Sequence, residues 1–111
     1  MIQTLSLLGS TGSIGTQALD IIRRTNIQVK ALAACRNIEL LEQQIREFKP
    51  EFAAVYHIGL AKELKQRVSD CPTEIGAGME GLIQAAVING SEMTFNAVVG
   101  MVGLQPTLEA I

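Results

Sequence analysis

The chain has 111 residues, 48% hydrophobic and 18% charged, with a formal net charge of −2 at pH 7. That length suits one domain around one core, and that composition excludes a disordered chain. A pI near 5.3 and the lack of any basic run exclude nucleic acid as a default partner.

The apolar opening, Leu5 to Leu8, is too short for a signal core or a membrane span, and no basic residue precedes it. The cytoplasm is the expected location. Cys35 and Cys71 stand far apart without metal-ligand spacing and read as reduced thiols. The single histidine, His57, reads as a surface residue in a loop.

Residues 2–8 read as a strand covered on both faces, because the run is apolar rather than alternating. The turn Gly9-Ser10-Thr11-Gly12-Ser13-Ile14-Gly15 follows. Residues 13–25 read as a helix with Ala18, Leu19, Ile21 and Ile22 as its apolar face and Arg23 and Arg24 in its last turn. Residues 28–34 form the second predicted strand, ending in Cys35-Arg36-Asn37. A helix over 38–48 places Leu40, Leu41, Ile45 and Phe48 on one face, and Pro50 closes it. A third strand spans 52–56 and a third helix 61–68. Residues 73–75 read as a short strand. Residues 79–88 read as a helix burying Leu82, Ile83, Ala86 and Val87, and residues 93–99 as a further strand. A second glycine turn, Gly100 to Gly103, leads into a helix from Leu104 with Pro106 in its first turn. Strands alternating with helices imply parallel pairing, so the expected class is α/β, a Rossmann-like, doubly wound, mostly parallel sheet. The last predicted helix reaches Ile111 after barely two turns without a C-cap, so the expectation is a domain truncated at its C-terminal end.

Strand, glycine turn, helix is the arrangement that sets a phosphate against a helix N-terminus. Gly9 lets the chain turn out of the strand, Gly12 removes a Cβ where a pyrophosphate would approach, and Gly15 lets the helix lie close. Thr11 and Ser13 offer hydroxyl donors beside the first N–H groups of the helix. The spacing is G-x-x-G-x-x-G rather than G-x-G-x-x-G, and a turn that merely needs glycines is the alternative.

An acidic residue about 20 positions past the glycines marks the NAD ribose site. Here Arg36 stands 21 residues past Gly15. A cation suits a 2′-phosphate, and Asn37 adds an amide donor or caps the next helix. The reading is NADP preference, against a surface arginine beside a helix cap. The eleven acidic residues are scattered and read as solvated charge. They form neither a catalytic nor a metal-binding set.

Three stretches resemble the 1-deoxy-D-xylulose 5-phosphate reductoisomerase family. They are Leu8 to Gly15, Ala33 to Asn37, and Val98 to Leu108 with its G-x-x-G-L-x-P-T-L run. The resemblance implies an N-terminal NADPH-binding domain. Its parent would be a Mg²⁺- or Mn²⁺-dependent oxidoreductase of non-mevalonate isoprenoid synthesis. That parent rearranges and reduces 1-deoxy-D-xylulose 5-phosphate to 2-C-methyl-D-erythritol 4-phosphate. By resemblance Gly9, Thr11, Gly12, Ser13 and Ile14 hold the cofactor phosphates, and Cys35, Arg36 and Asn37 take the 2′-phosphate end. Family members often carry glycine where Cys35 stands. The metal and substrate residues of the family lie beyond Ile111, so no catalytic residue is expected in this chain. The implied partners are NADPH, a sugar phosphate in the parent only, and a possible homodimer there, with no nucleic acid or membrane. A non-catalytic NADP(H)-sensing module and another NADP-linked dehydrogenase of the same fold are the alternatives.

Overall fold

The computed structural model describes residues 4–88 and 93–96. The expected strand residues 97–99, the turn at Gly100 to Gly103 and the helix from Leu104 lie outside them. Within the described residues the order is β1 (Thr4–Leu8), α1 (Ser13–Ile22), β2 (Gln28–Ala34), α2 (Ile38–Phe48), β3 (Phe52–Val55), α3 (Ile58–Arg67), β4 (Glu74–Ala77), α4 (Gly78–Ala86) and β5 (Met93–Asn96). The five strands form one sheet in the order β4-β3-β2-β1-β5, and every pairing is parallel. This is the expected doubly wound α/β fold.

Strand alternation sends side chains to two cores. Leu5, Leu7, Val29, Leu32, Ala53 and Val55 pack with Leu19 and Ile22 of α1, Leu41 and Ile45 of α2, and Leu64 of α3. On the opposite face Leu8, Ala31, Ala33, Phe52 and Ala54 pack with Leu82, Ala85 and Ala86 of α4. A bulge at Lys30 keeps β2 in step: Leu5 pairs with Val29, but Ser6 pairs with Ala31. The chain steps outward from β1 to β4 and returns through α4 to lay β5 on the other side of β1. The strand order therefore reverses between β1 and β5. Open α/β sheets bind ligands at the carboxyl ends of the strands beside such a reversal.

Several expectations are corrected. Helix α1 ends at Ile22, not residue 25, with Arg23 as its C-cap. Bonds from Arg24 N to Ile21 O and from Thr25 N to Ile22 O tighten the exit, and α2 recruits Arg23. The Arg23 guanidinium pairs with Asp20, donates to Glu47 Oε1 at 2.9 Å and lies 5.3 Å from the Phe48 ring centre. Ile21 is 67% exposed. The buried residues of α1 are Gly15, Leu19 and Ile22, at i, i+4 and i+7, and Ile21 sits about 100° round from Ile22. Helix α4 ends at Ala86 with Val87 as its exposed C-cap, and Ile83 is only half-buried, while Gly81, Leu82, Ala85 and Ala86 are buried. Gly81 sets that face, since a Cβ there would lie 2.9 Å from the Gly76 carbonyl carbon. Helix α3 starts at Ile58, three residues early, and β3 stops at Val55. The fourth strand is Glu74–Ala77, and buried Thr73 instead donates to Pro50 O at 2.7 Å.

The exposed Arg23–Glu47 pair carries a pH signature. The hydrogen bond from Arg23 holds the Glu47 carboxyl below its usual value. A lowered folded pKa means that the contribution exists above the unfolded value and fades as pH falls. Solvent screening limits it to under ~1 kcal/mol. Urea unfolding of Glu47→Gln is expected to show a small deficit at pH 7 that narrows at pH 3. A deficit equal at both values would contradict this.

Candidate functional site

The carboxyl ends of β1, β2 and β3 are bound to one another beyond the strands. Gly9 N and Ser10 N both donate to Ala33 O, at 2.7 and 2.9 Å. On the other side Tyr56 N donates to Ala34 O at 2.9 Å and His57 N to Cys35 O at 3.2 Å. The turn after β1, the tip of β2 and the start of α3 therefore form one ledge.

The turn earns its glycines for different reasons. Gly9 takes φ 80°, where an L side chain is strained. A Cβ on Gly15 would lie 2.0 Å from Gly9 O, so α1 starts against the turn only because Gly15 lacks one. Gly12 is different. Its φ of −80° and ψ of 176° suit any residue, and among the described residues a Cβ there would meet only Gly9 O, at 3.7 Å. Neither its conformation nor packing among the described residues requires glycine at that position. Gly12, Ser13 and Ile14 are exposed and Thr11 is half-buried. No side chain of the described residues caps α1. The Thr16 hydroxyl turns back on the helix, its one proton shared between Gly12 O and Ser13 O, each 3.0 Å away, so it is not an acceptor for the first N–H groups at the helix mouth.

At the tip of β2, Asn37 caps α2, its Oδ1 accepting from Leu40 N at 3.1 Å. The Nδ2 amine remains the donor of that side chain. Arg36 is exposed and makes no ion pair among the described residues, unlike Arg23, Lys30, Arg46 and Arg67. It lines a cavity of about 790 Å³ with Cys35, Tyr56 to Gly59, Gly78 and Met79. That volume is in the range of small-molecule sites. Burial pushes the Cys35 thiol up from its usual value, so it stands in the wall as a neutral thiol.

The sequence-predicted site residues thus fall in two adjoining groups, Gly9 with Thr11 to Ile14, and Cys35 to Asn37. Sequence reasoning missed the far wall of the cavity. His57 is exposed, as expected, but it is a cap rather than a loop residue: its Nδ1 accepts from Leu60 N at 3.3 Å. Gly78, at φ 69°, turns β4 directly into α4. One signal was available there: Gly76, Gly78 and Gly81 have G-x-G-x-x-G spacing at the end of a strand. Among the described residues no group of three or more His, Cys, Asp or Glu could hold a metal ion. No described helix is long and apolar enough to cross a membrane.

The family model of 1-deoxy-D-xylulose 5-phosphate reductoisomerase matches residues 5–111. The chain belongs to this family. A reductoisomerase of Lachnoclostridium phytofermentans is 52% identical over 108 residues, covering 96% of this chain and 28% of that protein. One of Lachnospira eligens is 50% identical over 110 residues, covering 98% of this chain and 29% of that protein. The chain therefore spans under a third of the length of these curated relatives. The solved reductoisomerase of Zymomonas mobilis in complex with NADPH superposes with a TM-score of 0.92 at 35% identity, covering 99% of this chain and 29% of that one. A reductoisomerase structure in complex with NADPH, fosmidomycin and magnesium superposes with a TM-score of 0.92 at 34% identity, covering 98% and 28%. The five-stranded parallel sheet is thus the fold of these reductoisomerase structures over the part that this chain matches.

Proposed function

We propose that this chain is the NADPH-binding domain of a 1-deoxy-D-xylulose 5-phosphate reductoisomerase. The observation that carries the reading is Gly12: a glycine that neither its own conformation nor packing among the described residues needs, at a helix mouth that no described side chain caps. A ligand backed against that helix supplies the missing reason. In this reading Gly9 shapes the turn, the N–H groups of Thr11, Ser13 and Ile14 and the hydroxyls of Thr11 and Ser13 receive the pyrophosphate, and Gly12, whose own N–H donates to Gly9 O at 3.2 Å, leaves the space for it. The cavity beside Arg36 gives the adenosine end a place, with Tyr56 and Met79 as its apolar walls. Arg36 and the Nδ2 amine of Asn37 receive the 2′-phosphate, and Cys35 contributes its backbone and the edge of the wall.

The bound nicotinamide supplies a hydride to the parent enzyme. The work of this chain is to bind and orient. In the parent the activity would be the rearrangement and reduction of 1-deoxy-D-xylulose 5-phosphate to 2-C-methyl-D-erythritol 4-phosphate. Its metal ligands and substrate-phosphate contacts would lie outside this chain, and a homodimer would be the parent's assembly. A cytoplasmic setting is the reading that the wide spacing of Cys35 and Cys71 in the sequence supports. Family membership disfavours another NADP-linked dehydrogenase of the same fold.

Calorimetric titration of the chain tests the reading. NADPH is expected to bind at least about tenfold more tightly than NADH, the equivalent of ~1.4 kcal/mol from the 2′-phosphate contacts. Equal affinities would remove Arg36 from the site, and no binding of either would overturn the reading.

A further inference from the structure

We propose that Gln44 is a positioning residue for the cofactor pyrophosphate, acting through the backbone of Ser10. This rests on the reading of Gly9 to Ile14 as the phosphate turn. Gln44 lies on α2, far from the turn in sequence, and is only 4% exposed. Its Nε2 donates to Ser10 O at 2.8 Å, across 34 residues. Its neighbours on α2, Leu41 and Ile45, are fully apolar core residues.

A glutamine is an expensive choice there. Its Oε1 is buried with no hydrogen-bond partner among the described residues, and so is Ser10 Oγ. A buried acceptor left unpaired costs free energy that a leucine would not incur. The amide is therefore retained for what its one bond does, and that bond fixes a peptide plane.

In a trans peptide the C=O of one residue and the N–H of the next point in opposite directions. Drawing Ser10 O inward to Gln44 turns the Thr11 N–H away from α2, and no backbone carbonyl of the described residues accepts from it. That N–H is the first donor of the proposed phosphate cradle. Gly9 N and Ser10 N are already fixed on Ala33 O, so the turn is held by β2 through its N–H groups and by α2 through its carbonyl. Helix α2 also begins at the Asn37 cap beside Arg36. One rigid helix thereby sets the distance between the 2′-phosphate anchor and the pyrophosphate anchor, as preorganised binding requires.

The test compares two probes on the 111-residue chain: NADPH, and adenosine 2′-monophosphate, which carries the 2′-phosphate but no pyrophosphate. Gln44→Leu removes the donor, and Gln44→Met does so with an unbranched chain of similar volume. Either variant is expected to weaken NADPH about tenfold while adenosine 2′-monophosphate changes less than about twofold. A merely structural role for Gln44 would weaken both probes alike or lower only the melting temperature, and either result overturns the proposal. So does unchanged NADPH affinity, or the failure of both variants to fold. If the unaltered chain binds neither probe, the cofactor reading itself fails and the proposal falls with it.

Discussion

Replacing Arg36 with glutamate is expected to weaken NADPH by about a hundredfold or more while changing NADH less than about threefold. Arg36 is a cation without a carboxylate partner among the described residues, at the carboxyl end of β2 and in the wall of the cavity. A charge-assisted hydrogen bond to phosphate contributes about 1.5–3 kcal/mol. Glutamate removes it and places a like charge against the phosphate, so the combined loss reaches at least ~3 kcal/mol. NADH lacks the 2′-phosphate and loses neither contact. The fold does not depend on Arg36, since its side chain is exposed and only its backbone is engaged, Ile38 N donating to Arg36 O at 2.8 Å. Parallel calorimetric titrations decide the matter. If both cofactors weaken alike, the 2′-phosphate sits elsewhere and Arg36 is an ordinary surface residue beside a cap.

The strands of this fold were legible because both of their faces are covered. Leu5 to Leu8, Ala31 to Ala34 and Phe52 to Val55 are uninterrupted buried runs, and such runs occur only between two helical layers. Helix boundaries were less legible where the local chemistry was unusual. The start of α3 was missed because its cap is an imidazole, outside the usual Ser, Thr, Asp and Asn set. Ile21 and Val87 were placed inside because composition says apolar, whereas burial follows the contact face that Gly15 and Gly81 impose.

The two glycine and arginine anchors were readable because their chemistry is local, one loop each. The remaining parts of the candidate site are not local. Tyr56 and Met79 come from different strand ends, and only the parallel β2-β3-β4 order brings them to the side of Arg36. Gln44 is less visible still. In a sequence it is a polar residue on an amphipathic helix, three positions from Leu41 and one from Ile45, and nothing marks it as inward until its partner, Ser10 O, is in place.

A valine at Gly12 and an alanine at Gly15 are expected to fail in opposite ways. Gly15→Ala brings a Cβ to 2.0 Å from Gly9 O and 2.8 Å from the Ser10 Cα, both backbone atoms. They cannot turn aside as a side chain would, so the turn and α1 must separate. Overpacking of this kind costs ~1–3 kcal/mol and here reaches the upper end or beyond, a large share of a domain's stability. Gly12→Val meets no such wall, and the extended backbone at that position accepts a branched residue. Its stability is expected to fall by no more than ~1 kcal/mol, the difference between glycine and valine as a helix cap. Its isopropyl group would instead stand in the mouth of α1, and NADPH binding should fall at least about a hundredfold, ~2.7 kcal/mol. Thermal melts and cofactor titrations on both variants separate the two roles. If Gly15→Ala melts with the unaltered protein, the close approach of helix and turn is not real. If Gly12→Val binds NADPH normally, the open side of the turn faces no phosphate, and the glycine there has no remaining explanation in the cofactor. Only the joint result, one variant folded but empty and the other destabilised, assigns the first glycine to the ligand and the second to the fold.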